Sequence, residues 1–279
     1  MKLTKIKVKK PSHRRVPFDY AKARNYEVID PPDEPPPFIA LESEIGPALA
    51  KCMYEGWKPF RTQPRPQEPR AKFVIHPSSA GGCPRRAVFS TVEAPDDGGA
   101  PDSKLQRIFD VGHFGHERIQ GYLFECWRQG RFHQVWEDVR LTIPGLHVSG
   151  ELDAIVATNP HHRYLVEIKT ASRKSFDGLA GPKDEWLVQS YLYMAATNLR
   201  AAIILVECKD SQRFKEFYLP WDPLIWADIE QRLQNIIYAI EWEELPQGDT
   251  DHCYFCPYHN VCEDESLLDW DTIHDAMGF

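Results

Sequence analysis

Asp153 stands in the run GELDAIV, and fourteen residues later YLVEIKT supplies Glu167 and Lys169. Successive side chains of a strand alternate faces, so Glu167 and Lys169 would point the same way while Ile168 turns into the core. If the Asp153 strand lies alongside, two carboxylates and an ammonium meet at one sheet edge. Hard oxygen donors of this kind suit Mg²⁺ or Mn²⁺. A lysine next to such an ion can orient or help deprotonate water and stabilise charge on a phosphate. An exposed hairpin with an i, i+2 Glu–Lys pair would look the same in isolation. Both tripeptides, however, are embedded in apolar strand sequence, where a surface pair would not need to be.

Two further parts are available. His116 lies in GHFGHERIQ, inside a helical pattern; a single histidine there is ordinarily a surface or packed residue, and His113 is read that way. Gln189 and Tyr193 are spaced i, i+4, which puts both on one face of the helix that follows the Glu-x-Lys strand. Such a tyrosine can equally be plain core.

A second chemistry sits near the C-terminus. HCYFCPYHNVC carries Cys253, Cys256 and Cys262 within eleven residues. A tetrahedral or cubane site wants four ligands. His259 would complete a local zinc site, although each gap would then be tight. The alternative fourth thiolate is Cys83, far upstream in SSAGGCPRRAVFS. Cys52, Cys126 and Cys208 read as ordinary thiols, the last buried in its strand.

The elements that must position these residues are legible. PDSKLQRIFDVGHFGHERIQGYLFECWRQG (101–130) reads as a long helix, with Leu105, Ile108, Phe109, Ile119, Leu123 and Phe124 near helical spacing. Gly112 and Gly115 inside it cost about 1 kcal/mol each relative to Ala, which suggests close approach to another backbone. QVWEDVRLTI, LHVSGELDAIVAT and RYLVEIKT read as strands, the last two separated by the turn-like NPHH. WLVQSYLYMAATN (186–198) reads as a helix, AAIILVECK and RFKEFYLP as strands, and PLIWADIEQRLQNIIYAIEW as a closing helix. This order predicts an α/β fold with a mixed central sheet flanked by helices.

Residues 1–70 form a basic, Pro-rich extension, with PPDEPPP and KPFRTQPRPQEPR flanking a candidate helix in FIALESEIGPALAKCMYEG. The main domain is expected over 71–265 and an acidic tail over 266–279. The net charge of −8 hides an asymmetry: residues 221–279 hold fourteen Asp/Glu against one Arg, and seven Lys/Arg fall in the first fifteen positions. Local basic clusters, not the total, would have to bind phosphate. Composition is that of a globular chain, with 42% hydrophobic and 27% charged residues. No apolar stretch reaches ~18 residues, which argues against a membrane span. Seven cysteines without an export signal argue for a reducing compartment, by default the cytosol.

The ordered set His116, Asp153, Glu167-x-Lys169, Gln189-x-x-x-Tyr193 resembles the RecB-like branch of the PD-(D/E)XK nuclease superfamily. The Pro-Asp dipeptide that names the superfamily is absent, since Leu152 precedes Asp153. The resemblance implies a restriction-endonuclease-like core. It also implies that His116, Asp153, Glu167 and the carbonyl of Ile168 bind the divalent ion, that Lys169 assists water attack, and that Gln189 and Tyr193 support the site. One cysteine before this core and three after it resemble the iron–sulfur nucleases of that branch, among them the CRISPR-associated exonuclease family and the AddB nuclease domain. By that resemblance Cys83, Cys253, Cys256 and Cys262 would hold a [4Fe–4S] cluster joining the ends of the domain, with Zn²⁺ at the cysteine site as the alternative.

The implied function is a metal-dependent DNA nuclease, expected to be an exonuclease on single-stranded DNA or DNA ends in recombination, repair or spacer acquisition. Arg85, Arg86, Arg163, Arg173 and Lys174 are candidates for DNA backbone contacts. The competing expectation is a non-catalytic end-binding or assembly module with protein partners in a larger DNA-processing complex.

Overall fold

In a computed structural model, residues 28–29, 73–97, 103–249, 253 and 256–278 are described, with the side chains of 28–29 and 103–107 left out. The candidate helix in residues 38–56 and most of the Pro-rich extension lie outside them, as does Cys52.

Among the described residues six strands form one mixed sheet in the order β1-β6-β5-β4-β3-β2. They are β1 (Val28–Ile29), β2 (Gln134–Ile143), β3 (Val148–Ala157), β4 (Arg163–Ala171), β5 (Ala201–Cys208) and β6 (Phe214–Pro220). Only β4 and β5 run parallel; every other neighbouring pair is antiparallel. The run AAIILVEC is apolar at seven of its eight positions because β5 is buried on both faces. The two residues of β1 pair with Phe217 and Glu216, so part of the N-terminal extension adds to the sheet edge.

Helices cover both faces. The long helix is α3 (Ser103–Arg128), following α1 (Pro77–Ala80) and α2 (Pro84–Thr91). Its Ile119, Leu123 and Cys126 pack on Val156, Val166, Ile168 and Leu205. Ile108, Phe109 and Phe124 of the same helix are exposed, so its buried stripe is narrower than the spacing suggested. Of Gly112 and Gly115, the second has a close neighbour, the Thr170 methyl, and the first has none.

The opposite face carries α1, α2, α5 (Asp184–Thr197) and α6 (Pro223–Glu241), whose Tyr191, Leu192, Leu233 and Ile236 pack on Leu152, Leu165 and Phe217. Asp222 caps α6 by accepting from Leu224 N at 2.8 Å, with Pro223 at the first helical position. Asn198 closes α5 in the left-handed conformation. The short α4 (Arg173–Asp177) follows β4, and α7 (His259–Glu263) and α8 (Trp270–Met277) end the chain. The expected acidic tail is therefore partly helical and packed: Leu268 and Ile273 are buried in the core and His274 Nε2 lies 2.8 Å from Ile240 O. Among the described residues no helix is long and apolar enough to cross a membrane.

One irregularity positions the site. The β2–β3 register runs to Glu137↔Ala154 and resumes at Val139↔Leu152. Between these pairs Asp138 takes a φ of 50°. The ribbon turns over here: Val135, Ala154 and Val156 face α3, whereas Val139 and Leu152 join the other core. The β3–β4 ladder spans Ala154↔Val166 to Ala157↔Arg163 and ends just short of Asp153 and Glu167. The two carboxylates thus stand where β3 and β4 part.

Candidate active site

Beyond the end of the β3–β4 ladder, Asp153 Oδ2 accepts a hydrogen bond from Ile168 N at 2.7 Å. The carboxylate takes the place of a ladder carbonyl and fixes β3 against β4. Its other oxygen lies 3.1 Å from His116 Nδ1 on α3. Lys169 Nζ lies 2.8 Å from Glu167 Oε1 and donates to Gln189 Oε1 at 2.8 Å. Gln189 Nε2 donates to Tyr193 Oη at 3.1 Å, and Tyr193 Oη donates to Glu151 O at 3.0 Å. The i, i+4 pair on α5 thus forms a relay that starts at the lysine and ends on β3. Ile168 is fully buried on the α3 side, as strand alternation requires.

The site is graded from floor to mouth. The Glu167 side chain is 2% exposed, Asp153 and Lys169 each 18%, and His116 31%. Burial pushes the Glu167 carboxyl up to about 7; Asp153 adds to the rise and Lys169 only partly opposes it. Burial also raises Asp153, but the charge and hydrogen bond of His116, with Lys169 and the Ile168 N–H, hold it below the usual carboxylate range. His116 and Lys169 are both raised, because the carboxylates they face outweigh burial. Two carboxyl groups pushed in opposite directions at one edge are a recurrent mark of a functional site.

Glu167 Oε2 is buried and has no hydrogen-bond partner. A buried carboxylate oxygen left in this way is costly unless a cation reaches it. An imidazole, two carboxylates and the Ile168 carbonyl form a donor set suited to a hard divalent ion. Among the described residues no three His, Cys, Asp or Glu side chains stand as a ready-made metal cage; His116 directs Nδ1 to Asp153 instead.

Of the candidate DNA contacts, Arg86, Arg173 and Lys174 are exposed. Arg173 and Lys174 begin α4, just past the Lys169 end of β4. Arg163 starts β4 six residues before Lys169, about 20 Å away along the strand, and stacks over the Trp136 ring at 5.3 Å. Arg85 donates to Pro246 O at 3.1 Å and Cys262 O at 2.9 Å, and pairs with Glu265. Its fork is occupied within the protein.

The same region carries the cysteines of the expected cluster, which among the described residues form no ready-made metal cage. Cys83, 8% exposed, precedes α2, and its Sγ accepts from Asp249 N at 3.2 Å. Cys253 Sγ lies 3.6 Å from Asp249 O, and Arg85 Nη1 reaches Cys262 Sγ at 3.4 Å. Desolvation raises the Cys253 thiol, and the nearby Cys262, Cys83 and Cys256 raise it further. His259, the fourth ligand of a local zinc site, instead lies 3.5 Å from Glu263. Cys126 and Cys208 are buried elsewhere in the core.

Three partnerships were not evident in the sequence. Gln120 donates to Asp153 O at 2.8 Å and to Asp138 Oδ1 at 2.7 Å; its i+4 spacing from His116 was the available signal. Arg118 pairs with the buried Glu207 of β5. Arg232 of α6 donates to Ala80 O at 2.7 Å and to Gly82 O, holding the turn before Cys83.

Two acidic residues and a lysine where β3 and β4 part can hold a divalent ion and stabilise charge on a phosphate. The model of the PD-(D/E)XK nuclease superfamily matches residues 115–263, and this chain belongs to that superfamily. The chain is similar at 18% identity to the crystal structure of SSO0001, over 77% of this chain and 94% of that one, with a TM-score of 0.47. It is also similar to the alkaline exonuclease LHK-Exo from Laribacter hongkongensis, at 14% identity, 62% and 90% coverage and a TM-score of 0.43. For the same enzyme in complex with dAMP the values are 15%, 62%, 90% and 0.45. No curated protein matches the chain.

Proposed function

We propose that this nuclease is a divalent-metal-dependent deoxyribonuclease acting as an exonuclease on single-stranded DNA or DNA ends, in recombination, repair or spacer acquisition. The observation that carries the reading is the buried Glu167 Oε2, which lacks a hydrogen bond while Oε1 is paired with Lys169. His116, Asp153, Glu167 and the Ile168 carbonyl would hold Mg²⁺ or Mn²⁺, which when bound polarises the scissile phosphate and lowers the pKa of water.

The remaining work falls to the chain. Lys169, locked by Gln189 and through it by Tyr193, holds a fixed positive charge beside the phosphate oxygens as negative charge develops on them. Water attacks phosphorus, the bond to the 3′ oxygen breaks, and a 5′-phosphate and a 3′-hydroxyl remain. Arg86, Arg173 and Lys174 would contact the strand through its phosphates.

In the same reading Cys83, Cys253, Cys256 and Cys262 hold a [4Fe–4S] cluster. The effect of Cys262, Cys83 and Cys256 on the Cys253 thiol, with the Glu263 partner of His259, supports the four-cysteine set over the local zinc site that uses His259. Loss of iron, sulfide and visible absorbance in Cys83→Ala would bear this out, and their retention would refute the four-cysteine set.

Digestion of end-labelled single- and double-stranded DNA by anaerobically purified protein tests the function. Mn²⁺-dependent cleavage that Asp153→Ala abolishes is expected, with the product ladder giving polarity. Binding without cleavage by fully folded wild type would overturn the nuclease reading in favour of an end-binding module.

A further inference from the structure

Asp153 is gripped at three atoms. His116 Nδ1 lies 3.1 Å from Oδ1, Ile168 N donates to Oδ2 at 2.7 Å, and Gln120 Nε2 donates to the backbone carbonyl at 2.8 Å. Two of these grips come from one face of α3, four residues apart. The other hydrogen of the Gln120 amide goes to Asp138 Oδ1 at 2.7 Å. Gln120 is only 6% exposed.

The location explains why this amide matters. Asp138 and Asp153 occupy the point at which the β2–β3 ribbon turns over, between Glu137↔Ala154 and Val139↔Leu152. Asp138 holds a φ of 50° there, a conformation uncommon outside glycine although tolerated by aspartate. A ribbon that reverses its faces within one residue pair has no ladder at that pair to set the angle. Gln120 supplies the missing constraint, bridging the Asp138 carboxylate and the Asp153 carbonyl across the break. One nitrogen with two hydrogens suits two acceptors. Glutamate would set acceptor against acceptor, and leucine would leave both without this donor.

We propose that Gln120 is a positioning residue that fixes the ribbon at its turnover and so aims the Asp153 carboxylate into the site. The functional part of this inference rests on the metal-dependent reading above. Outer groups that orient a ligand commonly alter metal affinity by about 10–100-fold when removed.

The test is Mn²⁺ titration by calorimetry into the full chain, alongside thermal unfolding and single-turnover cleavage at saturating Mn²⁺. The proteins are wild type, Asp153→Ala, Gln120→Leu and Asp138→Asn. Binding by wild type that Asp153→Ala abolishes upholds the underlying reading; no binding by wild type would overturn that reading and this inference with it. Granted wild-type binding, Gln120→Leu is expected to weaken Mn²⁺ affinity by at least about tenfold. Asp138→Asn keeps the shape but removes the charge that Gln120 answers, and is expected to weaken affinity by a smaller factor in the same direction. It also serves if Gln120→Leu fails to fold. A lowered unfolding temperature with wild-type affinity and cleavage rate would reduce Gln120 to a stabiliser of the ribbon and overturn the inference.

Discussion

At the residue scale the site is a contest between burial and charge, and Glu167 is where burial wins. Its carboxyl is pushed up to about 7 at the floor of the site, whereas Asp153 is held low by His116, Lys169 and the Ile168 N–H. A metal competes with the proton on Glu167, because a carboxylate must be ionised to bind it. Mn²⁺ affinity is therefore expected to fall by at least about tenfold per pH unit below about 7, since His116, also raised, must lose its proton to bind as well. Titrations at about pH 6 and about pH 8 check this, and equal affinities at both would contradict the assigned ligand. That Glu167 and Lys169 share one strand face, and Gln189 and Tyr193 one helix face, could be read from spacing, because strand and helix periods fix this; that the two faces meet was implied by the family resemblance. For Gln120 spacing gives only its place beside His116 on α3; its role depends on an aspartate adopting a positive φ, and nothing in the string EDV announces that. Arg85 shows the opposite failure. Its neighbourhood looked like a basic patch, yet its donors meet carbonyls and a carboxylate more than 150 positions away.

At the element scale, two helices set the site. α3 brings His116 and Gln120 to Asp153, and Arg118 ties the same helix to Glu207 on β5. α5 brings Gln189 and Tyr193 from the other face. The turn between α1 and α2 lies against the start of α5: a Cβ on Gly81 would sit 2.5 Å from Glu185 Cα. Backbone cannot give way as a flexible side chain can, so Gly81→Ala is expected to destabilise the protein by about 1–3 kcal/mol. Urea unfolding of the two proteins measures it, and an unchanged midpoint would show that the contact is looser than described. Strands and helices of the core were legible because apolar periodicity reports burial, most plainly in the unbroken run of β5. The C-terminal helix α8 was not. Its acidic surface dominates the composition of that segment, although Leu268 and Ile273 are buried and Trp270 and Met277 pack against the core.

At the scale of the whole molecule, the segments before and after the core are sewn together. Arg85 reaches Pro246, Cys262 and Glu265, while Asp97 accepts from Asn260 N at 2.6 Å and Asp249 N donates to Cys83 Sγ. Arg232 adds a clamp from α6 to the Ala80 and Gly82 carbonyls. Hydrogen bonds from a charged donor contribute about 1.5–3 kcal/mol, so Arg232→Ala is expected to lower stability by that order. Chemical denaturation would detect it, with a loss under about 0.5 kcal/mol contradicting a buried clamp. These joints span distances in sequence that no local pattern encodes. The central claim concerns Lys169, which faces Glu167 on β4. The most direct test is the single-turnover cleavage rate of Lys169→Ala at saturating Mn²⁺, beside wild type. A fall of about 10²–10⁴-fold, the range for removing a positioned group that acts in the transition state, is the predicted result. A rate within a few-fold of wild type would contradict the account.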